Sequence, residues 1–294
     1  MRPWVSTVTR AFPVLVVLLV IITGWYLACI PLNAAWTRDQ AARAGVEVSF
    51  AQVIAASYDQ ERPVLPAPHQ VAAELWNTTV MKAVTSKKSL VYHAWITLSA
   101  TLLGFAIGSG AGILLAVGIV HNKAMDLSVM PWAIASQTIP ILAIAPMVIV
   151  VLNSVGISGL LPKAVISAYL CFFPVVVGLV KGLRSPDAMQ LDQMKTWNAS
   201  ALQTLWKLRF PASLPYLFTS LKVGIAASLV GAIVGELPTG AVAGLGARLL
   251  SGSYYGQTVQ IWSALFGAAM VAAALVGLIG LIQRVTLKRM GLAR

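Results

Sequence analysis

LVYHAWITLSATLLGFAIGSGAGILLAVGIVHN, residues 90–122, contains no Asp, Glu, Lys or Arg. A helix needs about 20 apolar residues to cross the hydrocarbon core of a bilayer, and this run exceeds that length. Further uncharged runs cover 11–37, 127–162, 164–180, 210–221 continuing past Lys222 to 235, and 249–283. Trimmed at turn residues, they predict six spans at roughly 13–32, 95–120, 129–152, 163–181, 214–236 and 260–283, and hence an all-α, polytopic membrane protein. Composition agrees: of 294 residues, 58% are hydrophobic and 10% charged, with a mean hydropathy of +0.82. Those values exclude a soluble globule and a disordered chain. Glycines without a triplet period and only two cysteines, Cys29 and Cys171, exclude collagen-like and disulfide-rich scaffolds.

A net charge of +12 raises nucleic acid as a partner, but the basic residues do not form a stripe interleaved with aromatics. They sit in the gaps between the uncharged runs, as the positive-inside rule requires of a protein whose partner is lipid. Arg2 and Arg10, the basic residues of 182–213, and the Arg and Lys after 283 place both termini in the cytoplasm. The first run admits a second reading, a signal peptide ending Leu27-Ala28-Cys29, but its apolar core is too long and Tyr26 fits a cleavage site poorly. Trp25, Tyr26 and Trp36 look like interfacial anchors of a retained helix. The chain then divides into a tail and first helix (1–32), an outer loop with a short amphipathic helix (33–92), and a core of five spans (93–294) with a hairpin at 182–213.

In the outer loop, Val64-Leu-Pro-Ala-Pro-His69 reads as a stiff entry into a helix near 71–76, serving as a lid or a spacer. The 182–213 link is more specific. Ser185-Pro186-Asp187 reads as a helix start, with Ser as the cap and Pro at the first helical position. Ser200 and Gln203 have capping-box spacing, Pro211 reads as the stop of the helix they open, and Asn198 suits a left-handed reversal between the two. Leu191, Met194 and Trp197 on one helix, and Leu202, Leu205 and Trp206 on the other, stand beside Lys195, Lys207 and Arg209. Such a knob suits a protein partner; the alternative is a hairpin that packs under its own bundle.

The spacing Asp192-Gln-Met, three residues, Asn198, nine residues, Leu208-Arg-Phe-Pro211 resembles the E-A-A-x3-G-x9-I-x-L-P loop of binding-protein-dependent ABC importer permeases. The match is in spacing and chemistry, with only the Pro identical. Flanking features strengthen it: Val64-Leu-Pro-Ala-Pro, Ser136-Gln-Thr-Ile-Pro140 through Pro146, Gly182-Leu-Arg-Ser-Pro186, Leu214-Pro215 with Lys222, and Gly235-Glu236. In this order they are similar to permeases of the nitrate, taurine, sulfonate and pyrimidine-precursor group over roughly 64–290. The resemblance implies the type I importer permease fold in a bacterial inner membrane. It also implies a second permease chain, identical or paralogous, two ATP-binding cassette subunits carrying the ATP and Mg, and a periplasmic solute-binding protein. Leu191, Asp192, Gln193, Met194, Lys195, Trp197, Asn198, Ala199, Ser200 and Pro211 would then form the coupling element seated on the ATPase. Gln193 and Met194 replace the usual Ala pair, which points to a groove tailored to this chain.

The residues themselves point to an external energy source. No G-x-x-x-x-G-K-[ST] loop occurs, and no cofactor or metal is expected on this chain. His69, His93 and His121 are scattered without metal spacing, so enzyme chemistry finds no support. Pro140 and Pro146 interrupt the third span, and with Ser136, Gln137 and Thr138 they mark a translocation path or, alternatively, an ordinary kink with hydroxyls bonded back along the helix. Glu236 joins the path set as a gate or stays an interfacial acid, and Lys222 reads as a snorkelling side chain. Glycines 104, 108 and 112, and 231 and 235, read as helix-packing ladders. The stretch from Pro238 to Gly256 reads as a flexible gate, a docking surface or a plain loop. The expected function is a permease for a small organic solute (a sulfonate, nitrate, an aromatic acid or a pyrimidine-like compound), tilted toward an uncharged heterocycle because the path lacks a basic lining. The alternative is a self-sufficient channel or secondary carrier.

Overall fold

The structure, a computed structural model, describes residues 3–238 and 243–291, and no strand occurs among them. The helices are α1 (Pro3–Ala44), α2 (Phe50–Tyr58), α3 (Pro68–Trp76), α4 (Leu90–His121), α5 (Lys123–Ser136), α6 (Ile141–Ser154), α7 (Leu160–Leu183), α8 (Ala188–Thr196), α9 (Ala201–Thr204), α10 (Phe210–Glu236), α11 (Leu245–Tyr254) and α12 (Thr258–Arg289). Two π-helical turns, Asn77–Met81 and Leu205–Arg209, follow α3 and α9. Among the described residues, five helical stretches are long and apolar enough to cross a membrane: Phe12–Ala44, Leu90–His121, Leu160–Leu183, Ala201–Glu236 and Thr258–Arg289. A sixth crossing is made only if α5 and α6, bent by 100° at their break, count as one.

Several expectations change. The third span is not one helix over 129–152. Pro140 has φ −61° and ψ 119° and caps α6 without a side-chain bond, since proline offers no N–H to continue α5 and forces the preceding residue out of the helical region. Pro146, expected to interrupt the span, lies inside α6. Helix α1 runs on to Ala44 into the expected outer loop, while the short helix there begins at Pro68. The stretch expected to be flexible after Pro238 contains α11; its residues 239–242 lie outside the described residues.

The chain forms two compact units. The first holds the described residues up to Val91 with Arg248–Phe266. The segment that follows α1 is bonded back to it by polar side chains. Asn33, fully buried, donates to the carbonyls of Ser57 and Leu65 at 2.9 Å each and accepts from the Leu65 N–H at 3.1 Å. Gln60 donates to the Asn33 carbonyl and to Thr37 Oγ1, both at 2.9 Å, and Trp25 Nε1 donates to the Pro66 carbonyl at 2.9 Å. Trp25 also lies on Trp262 and Phe266, with ring centroids at 4.8 and 5.9 Å. By contrast Phe12, Leu15 and Leu19 on α1 are exposed, as a face turned to lipid must be.

The second unit, Tyr92–Ala247 with the residues from Gly267 onward, is built on α7. Val175, Val176, Leu179 and Leu183 fill its core with Ala116 and Ile119 of α4 and Leu217 of α10. Small residues let the backbones approach, as the glycine ladders predict. A methyl at Gly108 would stand 2.6 Å from the Ala168 carbonyl, and one at Gly231 2.7 Å from the Ser167 Cα. Ser167 Oγ closes the α7–α10 seam by donating to the Ser228 carbonyl at 2.8 Å. Gly108→Leu should therefore cost about 1–3 kcal/mol by overpacking, read as a lower melting temperature of the detergent-purified chain. Gly110→Leu, whose methyl would meet nothing within 4 Å, should leave the melt unchanged.

Candidate functional site

The 182–213 hairpin is a sequence of local capping devices. Asp187, not Ser185, caps α8: its carboxylate accepts from Gln190 N–H at 2.7 Å and the Gln190 side chain returns to the Asp187 N–H at 3.2 Å. The carboxylate at the positive end of the helix adds a dipole contribution that a serine lacks. The exit of α8 is a Schellman motif: Asn198 N–H bonds to the Lys195 carbonyl at 2.8 Å and Ala199 N–H to the Met194 carbonyl at 3.0 Å. Asn198 takes φ +52°, the one non-glycine with positive φ among the described residues, as the sequence required. Ser200 and Gln203 form the expected capping box, at 3.2 and 2.8 Å.

Pro211 does not end the second helix. The chain widens into the π-turn Leu205–Arg209, closed by Phe210 N–H on the Leu205 carbonyl, and runs on into α10. Proline sits in the first turn of α10, where its missing N–H is tolerated. The hairpin's base is tied to its surroundings by Arg184, 2.8 Å from the Asp126 carboxylate, and by Arg209, which donates to the Leu183 carbonyl at 2.8 Å.

Of the expected knob, Met194 and Leu205 face inward, both 7% exposed, and Leu191 is half buried. Met189, Trp197, Leu202 and Trp206 are the large apolar side chains left outside. Asp192, Gln193, Lys195 and Ser200 share the exposed surface, and Ala199 and Pro211 are half buried. The Lys195–Asp192 pair at 2.8 Å is fully on the surface and adds little to stability. Trp197, Gln193 and Lys207 border a groove of about 430 Å3.

At the α5–α6 break, the Ser136 and Thr138 hydroxyls donate back to Ala133 and Ala135 carbonyls at 2.7 and 2.8 Å. The Ser136 carbonyl accepts from the Tyr169 hydroxyl. Gln137 is half buried and reaches only Ser136 Oγ, at 3.4 Å. The hydroxyls are thus engaged as a kink would have them, while Thr138 and Pro140 stay exposed.

Glu236 is fully buried and is the centre of a knot. Thr97 Oγ1 donates to its two oxygens at 2.9 and 3.0 Å, and Gly246 N–H donates to Oε2 at 2.8 Å. Leu245 N–H in turn donates to Thr97 Oγ1 at 2.8 Å, and Gly244 N–H to His93 Nδ1 at 3.0 Å. The knot pins the entry of α11 to α4 and α10. In this conformation the carboxylate is closed off, held by the chain's own donors.

Residues 108–291 match the family model described as "Binding-protein-dependent transport system inner membrane component". The chain belongs to this family. Relatives of the permease include a probable ABC transporter permease of Haemophilus influenzae, 29% identical over 75% of this chain and 85% of the relative. A riboflavin transport system permease of Chloroflexus aurantiacus is 30% identical over 76% and 80% of the two chains. A formylaminopyrimidine transport permease of Halalkalibacterium halodurans is 32% identical over 62% and 68%. The permease is thus a multi-pass transport subunit for import of a small solute, nearly all helical among its described residues.

Within the permease, residues expected to couple to an ATPase are gathered on one hairpin, while Ser136, Gln137, Thr138 and Pro140 gather at the broken span. Glu236, expected in the path set, is hydrogen-bonded to Thr97 and Gly246. Sequence reading missed Thr97, His93 and Gly244. A threonine in an apolar run has no local signature, and Gly244 stands only within the stretch read as a gate, a docking surface or a plain loop; its φ of +129° is visible in the structure alone.

Proposed function

We propose that the permease forms the translocation path of an ATP-driven importer and takes its energy from a separate ATP-binding cassette subunit that seats on the 182–213 hairpin. The observation that carries this is the surface of that hairpin: Met189, Trp197, Leu202 and Trp206 are all more than half exposed on a segment rigidly capped at each of its turns. Capping and a Schellman exit hold a shape, and exposed aromatics on a held shape are what buried interface anchors look like before their partner arrives. A self-sufficient channel leaves this surface without a role.

In this reading both termini and the hairpin lie on the cytoplasmic side of a bacterial inner membrane, a second permease chain completes the path, and a solute-binding protein delivers the cargo to the outer face. The break at 137–140 is the element that moves between inward and outward states, with Gln137 as its polar contact. The cargo is a small nitrogen heterocycle; this is supported by the names of two relatives above, the riboflavin and formylaminopyrimidine permeases.

The test is recovery. The permease, tagged at its C-terminus and extracted from native membranes in mild detergent, should bring down an ATP-binding subunit identifiable by mass spectrometry. A captured solute-binding protein should bind flavin or pyrimidine ligands in a thermal-shift screen. A chain that repeatedly comes out alone, intact and monodisperse, and that moves solute by itself in liposomes would replace the importer with a carrier.

A further inference from the structure

The first unit contains a cavity of about 560 Å3 that neither the hairpin nor the broken span uses. Lys82, Lys88, Arg248, Glu74, Gln260 and Met81 border it. Arg248 is 8% exposed and fixed: its two terminal nitrogens donate to the Lys88 carbonyl and to Glu74 Oε1, each at 3.1 Å. Gln260 holds the turn behind it by donating to the Arg248 carbonyl at 3.2 Å and to Ser251 Oγ at 3.1 Å. Burial draws the guanidinium below its ordinary pKa, and the Glu74 carboxylate counters that shift; an arginine stays charged regardless.

The charge around this cavity does not balance. Glu74 offsets one of three cations, and among the described residues neither Lys82 nor Lys88 has an ion-pair partner. Arg248 Nε is buried and has no hydrogen-bond partner among the described residues, a rare condition in a native fold that calls for an explanation. A held guanidinium bordering one cavity with two exposed lysines is a donor set for an oxyanion, phosphate above all. Glu74 opposes such a guest, but its Oε1 is already committed to Arg248.

The place of the lining residues beside the spanning helices points to the source of the phosphate. Lys88 lies two residues before the spanning helix α4, and Gln260 is in the first turn of the spanning helix α12. Residues at span ends lie at the headgroup level of a bilayer. The adjoining α3 and π-turn expose Trp76, Val80 and Met81, and Val84 follows them, the apolar side of an element lying in the interface. A soluble oxyanion has no use for that rim, whereas acyl chains do.

We propose that this cavity is a headgroup site for an anionic phospholipid, its phosphate facing Lys82, Lys88 and Arg248 and its acyl chains running over Met81 and Trp76. The site concerns lipid rather than cargo and stands whether or not the hairpin couples to an ATPase.

Native mass spectrometry of the detergent-purified full chain tests it, with phosphatidylglycerol and phosphatidylcholine of identical acyl chains as probes. Phosphatidylglycerol should be retained about tenfold more strongly than phosphatidylcholine, as expected for a few cations at a membrane surface. The double variant Lys82→Gln/Lys88→Gln should bring the two lipids level. Both lysines are exposed, and the bond Arg248 makes to Lys88 is to its backbone carbonyl, so the variant should fold with an unchanged melt. A large excess of inorganic phosphate should displace neither lipid. Equal retention of both lipids by the unaltered chain, or undiminished phosphatidylglycerol binding by the double variant, would overturn the proposal. Displacement of phosphatidylglycerol by inorganic phosphate would overturn it in favour of a soluble oxyanion.

Discussion

Glycine at both Leu191 and Trp197 should reduce ATP-driven uptake at least about thirtyfold, the factor that corresponds to losing one interface anchor of about 2 kcal/mol, while the ATP-binding subunit goes on hydrolysing ATP. Trp197 is 66% exposed and Leu191 half buried on α8, so the pair removes contact surface and stiffness from the hairpin without emptying the core below it. Met194 and Leu205, which do pack inward at 7% exposure, are left in place for that reason. Uptake of labelled solute and phosphate release are measured together in proteoliposomes containing the full complex. Asn198→Gly is the control: glycine reaches φ +52° without strain, so both activities should persist. Uptake that survives the double glycine would remove the coupling role from the hairpin.

The second large effect is expected at Gly244. A methyl group there would stand 2.3 Å from the Glu236 carboxyl carbon and 2.4 Å from each of its oxygens, on a backbone at φ +129°. Gly244→Ala should cost about 3 kcal/mol or more, from roughly 1–3 kcal/mol of backbone strain and a similar amount of overpacking. Thermal unfolding of the purified chain reads this directly. Gly256→Ala isolates the backbone contribution, since Gly256 has φ +63° but nothing within 4 Å of its would-be methyl. Glu236→Gln should be milder than Glu236→Ala, because the amide keeps an oxygen to accept from Gly246 or Thr97, whereas alanine strands both donors. If the alanines at 244 and 256 melt alike, the knot does not hold the entry of α11.

Much of this protein could be read from local pattern. Uncharged runs located the five helices long and apolar enough to cross a membrane, because a spanning helix must be apolar along its own length. The hairpin was legible for a related reason: a cap at Ser200, its reciprocal Gln203 and the left-handed Asn198 each act within a few residues of chain. The errors were also local. Ser185 and Asp187 are both capping residues, and only the bonds to Gln190 decide for Asp187. Pro211 carries the sign of a helix stop, and the π-turn before it lets the helix pass.

What sequence by itself determined, then, is the set of helices that enter the membrane and the shape of the hairpin between α7 and α10, since helix propensity, capping and hydrophobic length are properties of contiguous residues. Only the tertiary structure decided that α5 and α6 part by 100°, because a proline permits a kink of many sizes and packing selects one. It alone joined Thr97 to Glu236 across 139 positions, His93 to Gly244 across 151 and Glu74 to Arg248 across 174. A buried polar group must find a partner, and in a membrane core the partner is supplied by whichever helix the packing brings alongside.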